Sequence, residues 1–135
     1  MSRKLPAPDI RADNISDLLN IKLVIEYDGS GYSGWQRQSD KPSVQEKIEK
    51  AISVLFGLQN IKLYGAGRTD AGVHAFGQAA NFRVNRAAFE KLGIDRFQHS
   101  LNAILPPDIA VKNTKIVAES FHARYSAKAR IYKYY

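Results

Sequence analysis

An α+β fold, with a mostly antiparallel sheet and helices packed on one of its faces, is predicted by three features of the sequence. Strand-like alternation and helical spacing follow one another in the order β-α-β-β-α-β. Both helical stretches carry an apolar stripe that a sheet can cover. The chain has 135 residues, 44% of them hydrophobic. At that length a single domain buries roughly two-thirds of the surface its unfolded chain exposes.

The elements can be justified in order. Residues 1–19 are expected to be a flexible extension, with Pro6 and Pro8 opposing regular structure. They hold no apolar signal-peptide core, and Asp9, Asp13 and Asp17 argue against a transit peptide. No stretch approaches the roughly 20 apolar residues of a membrane span. Ile21 to Tyr27 alternates as a strand, with Ile21, Leu23, Ile25 and Tyr27 on one face, and Asp28-Gly29-Ser30-Gly31 ends it with turn chemistry. Ser43 and Glu46 form a capping box after Pro42. Val44, Ile48, Ala51, Ile52 and Leu55 continue at helical spacing, and Gly57 stands where the helix should stop. Ile61 to Tyr64 is a second strand, running into a glycine-rich loop from Gly65 to Gly72, and Gln78 to Val84 is a third.

Asn85 is placed to cap a short helix ending near Gly93. Asp95 and Gln98 make a second candidate capping box, ahead of Phe97, Leu101, Ile104 and Leu105 at helical spacing, and Pro106-Pro107 closes that helix. Ile109 to Ala118 is a fourth strand, and Arg130 to Tyr135 is the start of a fifth. This is the split βαβ, or ferredoxin-like, arrangement, which serves many unrelated functions, RNA-binding modules among them. The last run is apolar and aromatic, with no turn or polar tail, so the chain is expected to be truncated within a strand.

The 20 Lys and Arg residues outnumber the 13 Asp and Glu residues, for a net charge of +7. Such a charge favours a polyanionic partner through counterion release, although an ordinary basic protein has the same total. From Ser120 to Tyr135 the cations Arg124, Lys128, Arg130 and Lys133 alternate with Phe121, Tyr125, Tyr132, Tyr134 and Tyr135, with no acid among them. Cations beside aromatic rings suit looped or single-stranded RNA. They equally suit a strand whose rings face a core and whose charges face water, and a strand has room for both. Cysteine is absent, which excludes disulfides, thiolate nucleophiles and sulfur-ligated zinc, and is compatible with the reducing cytoplasm expected for the protein.

Chemistry concentrates in the loop. Gly65, Gly67, Gly72 and Gly77 bracket Arg68, Thr69, Asp70 and His74. Glycine permits positive φ and close approach, so a loop between two strands can aim Asp70 into a cleft. An aspartate in such a turn can also do no more than close an Asx-turn. The spacing fits neither a P-loop nor a dinucleotide fingerprint. His99 and His122 stand at no ligand-like spacing from Asp70 and His74, so no metal site is expected.

Gly67-Arg68-Thr69-Asp70-Ala71-Gly72-Val73-His74-Ala75 resembles the signature of the TruA family of tRNA pseudouridine synthases. Tyr27-Asp28-Gly29-Ser30-Gly31-Tyr32-Ser33-Gly34-Trp35-Gln36 is similar to that family's amino-terminal motif, and Ser43-Val44-Gln45-Glu46 to the start of its first helix. Leu101 to Ile109 and Phe121 to Ala127 resemble two further segments, and the likeness runs in unbroken order from residue 21 to residue 135. The resemblance implies the amino-terminal half of such an enzyme, with residues 20–135 forming a catalytic subdomain of pseudouridine synthase type. It implies an isomerase turning uridine into pseudouridine at positions 38 to 40 of the tRNA anticodon stem-loop, without metal or organic cofactor, as a cytoplasmic homodimer. Asp70 would match the nucleophile, Arg68 the residue that displaces and holds the base, and Tyr132 the ring stacking on the uracil. The alternative is a fragment serving only as a non-catalytic tRNA-binding module.

Overall fold

A computed structural model describes residues 17–29, 35, 43–58, 61–66, 74–123 and 132–133. Strand β1 (Leu18–Tyr27) is central, and its alternation is the one its sequence dictates: Leu19, Ile21, Leu23, Ile25 and Tyr27 are all buried. It begins at Leu18, three residues before the expected Ile21, so Leu18 and Leu19 belong to the sheet rather than to the amino-terminal extension. The rest of that extension, residues 1–16, lies outside the described residues.

Helix α1 (Val44–Phe56) starts at Ser43, whose Oγ accepts the Glu46 N–H at 3.1 Å, and ends at Gly57 with φ of 65°. Strand β2 is shorter and later than expected, Tyr64–Gly65 in place of Ile61 to Tyr64. The reason is where the backbone of Leu63 finds its partners. Its N–H donates to Glu49 Oε2 at 2.9 Å, and its C=O accepts from Gln45 Nε2 at 2.9 Å. Two side chains of α1 thus take the place of a neighbouring strand.

Strand β3 (His74–Asn85) is followed by α2 (Arg86–Leu92), capped by Asn85 Oδ1 on the Ala88 N–H at 3.1 Å. Helix α3 (Ile94–Ile104) corrects the second expected capping box. The single residue Gly93, at φ 88°, links the two helices, so α3 begins at Ile94 with no side-chain cap. Asp95 lies inside the first turn, where its charge complements the helix dipole. Gln98 instead reaches sideways, its Oε1 accepting from Thr114 Oγ1 at 2.7 Å. Strand β4 (Ile109–Val117) and strand β5 (Tyr132–Lys133) complete the order.

The strand order is β2-β3-β1-β4, every pairing is antiparallel, and β5 joins β3. That is the split βαβ topology. Helices cover one face: Ile48 and Ile52 of α1, Phe89 of α2 and Phe97 and Leu101 of α3 share one buried cluster with Ile21, Leu23, Ile25 and Phe82. The other face carries Asn20, Lys22 and Glu26 from β1. No described helix is long and apolar enough to cross a membrane.

Candidate active-site edge of the sheet

Four segments far apart in sequence meet at one end of the sheet. The Tyr27-Asp28 end of β1 is tied to the Pro107-Asp108 turn by the Asp28 N–H, which donates to Asp108 O at 2.9 Å. Ala75 pairs with Tyr27 on one side and with Tyr132 on the other. Between them opens a cleft of about 370 Å³ lined by Glu26, Tyr27, Asp28, Ala75, Phe76, Pro107, Asp108 and Ala110.

Two bulges shape this end. The β1–β3 register shifts between Ile25 and Tyr27, and the β1–β4 register shifts between Val24 and Ile25. The second shift leaves Lys112 as the extra residue of β4. Its Nζ donates to Phe76 O at 2.9 Å and stands 3.6 Å from Glu26 Oε1, joining both distorted ladders across β1. Bulges bend a strand, add twist and re-aim side chains. Here they do so where β1 meets the cleft.

The glycine-rich loop enters and leaves on the same edge of β3. Its near end is fixed by the Ala66 N–H to Ala79 O at 2.8 Å, and its far end becomes β3 at His74, opposite Lys133. β2 and β5 therefore share that edge, with positions 76–78 between them. At the near end the loop has a rigid floor. Trp35 is 3% exposed and lies against Gly65, so closely that a Cβ there would meet the indole Nε1 at 2.5 Å.

A strap, residues 118–123, crosses the face opposite the helices at the level of Asn20 and Asn81. Asn20 Nδ2 donates to Ala118 O at 3.0 Å and to Phe121 O at 2.8 Å. Asn81 Nδ2 donates to Asn20 Oδ1 at 3.0 Å, and Asn81 Oδ1 accepts the Ala123 N–H at 2.8 Å. Both asparagines are buried, and among the described residues no buried side-chain nitrogen or oxygen lacks a partner. This pair fixes the chain direction just before the segment that leads to Tyr132.

Of the three residues singled out from sequence, Asp70 and Arg68 lie outside the described residues. Tyr132 is placed by its backbone in β5, in register with Ala75. Sequence reasoning missed Asn20 and Asn81, because the partners are 61 positions apart. It also missed the cleft acids Glu26, Asp28 and Asp108, which the sequence shows only as turn or strand residues. Among the described residues no three His, Asp or Glu side chains group to hold a metal ion.

This geometry can be set beside known proteins. A family model described as tRNA pseudouridine synthase matches residues 23–126. The tRNA pseudouridine synthase A of Acetivibrio thermocellus is 50% identical over 115 residues, covering 85% of this chain and 45% of that protein. That of Ruminiclostridium cellulolyticum is 48% identical over 114 residues (84% and 44%), and that of Histophilus somni 49% over 116 residues (86% and 41%). The chain spans less than half the length of the curated relatives it matches.

Proposed function

The chain belongs to the tRNA pseudouridine synthase family, and we propose that it contributes the catalytic half-site of an isomerase acting on uridine in tRNA. The observation that carries this reading is the convergence at one sheet end. The 27–28, 74–75, 107–108 and 132–133 segments, each within or beside a stretch that resembles the family's motifs, border a single cleft or pair directly beside it.

In the proposed reaction the N1–C1′ bond breaks, the uracil turns, and a C5–C1′ bond forms. The C5 proton is lost and N1 gains one, so the product is an isomer and no redox partner is needed. Asp70 supplies the carboxylate nucleophile that holds the intermediate. Taking the uridine out of its stack costs a few kcal/mol, which suits an arginine wedge at Arg68 and a stacking ring at Tyr132. The register of Tyr132 beside Ala75, at the mouth of the loop that bears Asp70, supports this division of roles. The substrate we assign is the anticodon stem-loop at positions 38 to 40, handled by a homodimer in the cytoplasm.

The test is pseudouridine formation in an unmodified tRNA transcript by the full chain and by Asp70→Asn. The variant is expected to lose at least about 10³-fold in turnover. Equal turnover by the variant would sink the nucleophile assignment. Transcript binding without turnover by the unaltered chain would favour the non-catalytic tRNA-binding module instead.

A further inference from the structure

The face of the sheet opposite the helices carries a row of side chains that the reaction does not use. Register places Lys115 of β4 opposite Lys22 of β1, Lys22 opposite Asn81 of β3, and Asn81 opposite Tyr64 of β2, so one row crosses all four strands. Lys22 and Lys115 are like charges on directly opposed positions, an arrangement that weakens a sheet on its own account. Two described cations are paired with acids. Arg86 stands 3.7 Å from Glu90 on α2, and Lys112 pairs with Glu26. Among the described residues no carboxylate lies within ion-pair distance of Lys22 or Lys115.

Aromatic rings are interleaved with the charges. Lys22 Nζ stands 5.6 Å from the Phe121 ring centre, and Lys62 Nζ stands 5.7 Å from that of Tyr64. Tyr64 is 38% exposed and packs on His122, with ring centres 4.8 Å apart. Arg83, one row away opposite Asn20, is held by its Nη2 donating to Glu119 O at 2.9 Å. The strap therefore holds Arg83 and Lys22 without covering Lys115, which is exposed.

We propose that this row is a second RNA contact, in which Lys22 and Lys115 bind the phosphate backbone away from the reacting uridine. Lys22 lies five residues along β1 from Tyr27, which is about 17 Å at strand spacing. That separation puts the row beyond the target nucleotide and over the RNA flanking it. Cations with ring faces beside them match a sugar-phosphate backbone with accessible bases. The inference rests on the reading of the chain as one that acts on tRNA.

The experiment measures binding of a fluorescein-labelled tRNA transcript by the full chain across a series of KCl concentrations. Each lost phosphate contact lowers the slope of log K against log[KCl] by about 0.7 to 0.9. The double variant Lys22→Gln/Lys115→Gln is expected to reduce that slope by about 1.4 to 1.8 while melting no lower than the parent. Lys50→Gln/Lys91→Gln removes the same charge from the helical side and is expected to leave the slope unchanged. An unchanged slope in the first variant, or an equal fall in both, overturns the sheet-face contact alone. Absence of any transcript binding by the unaltered chain overturns the tRNA reading with it.

Discussion

Replacing Gly65 by alanine adds one methyl group to the backbone that leads into the glycine-rich loop. That methyl would lie 2.5 Å from Trp35 Nε1, 2.7 Å from Cε2 and 2.9 Å from Cζ2. Comfortable separation is about 3.5 to 4.0 Å, so the indole or the strand must retreat by about 1 Å. Expulsion of the ring is the expensive route. A tryptophan buries about 150–250 Å², worth roughly 4–6 kcal/mol at 25 cal/mol per Å². The chain at Trp35 is also held by the Gln45 N–H on its carbonyl at 2.9 Å, and its ring meets Tyr27 at 6.0 Å. Local strain is cheaper, about 2 kcal/mol for an overpacked site. For a domain of this length that lowers Tm by roughly 6–10 °C. Thermal melting by circular dichroism measures the loss. Trp35 is the only tryptophan, so its fluorescence reports on this contact alone, and it is expected to stay blue-shifted. In a Trp35→Phe background, which removes the atoms in conflict, the same Gly65→Ala change should cost less than about 0.5 kcal/mol. A variant melting within about 2 °C of the parent, or an equal loss in both backgrounds, refutes the steric argument.

Two further outcomes test the frame around the site. Asn81→Ala leaves the buried Ala123 N–H and Asn20 Oδ1 without their partner and is expected to cost about 1–3 kcal/mol in urea denaturation. Hydrogen exchange at the Ala123 amide should rise in step; retained protection there would refute the role given to Asn81. Ser43→Ala removes the cap of α1 and should cost about 1 kcal/mol by thermal melting; an unchanged Tm would refute the contribution given to the cap.

Legibility followed the range of the physics. The α1 boundaries were readable because Ser43, Glu46 and Gly57 act within their own helix, and β1 because its alternation is local. The second strand was misplaced because its backbone partners are the side chains of Gln45 and Glu49, which no periodicity reveals. Asp95 and Gln98 had the right spacing for a capping box but the wrong context. The one-residue link at Gly93 starts α3 ahead of Asp95, and Gln98 is taken by Thr114. At the site, the glycine-bracketed loop was visible as a loop because its residues are contiguous. The cleft was not, because its walls come from the end of β1 and the starts of β3 and β4. The register that sets Tyr132 beside Ala75 was likewise invisible, since the two residues are far apart in sequence and no local pattern pairs them.

The central strand explains why folding and recognition do not compete in this domain. Along β1 one set of alternate positions, Leu19, Ile21, Leu23, Ile25 and Tyr27, is buried under the helices. The other set carries Asn20, Lys22 and Glu26, and each does separate work: Asn20 holds the strap, Lys22 stands in the basic row, and Glu26 pairs with Lys112 in the wall of the cleft. A slip of one residue in pairing would exchange the two sets at once, burying a lysine and a glutamate while exposing the apolar row. The free energy that forms the core therefore also locks the orientation of the polar face. The two bulges leave that alternation of β1 intact and place their extra residues on the partner strands, β3 and β4, beside the end of β1 that borders the cleft.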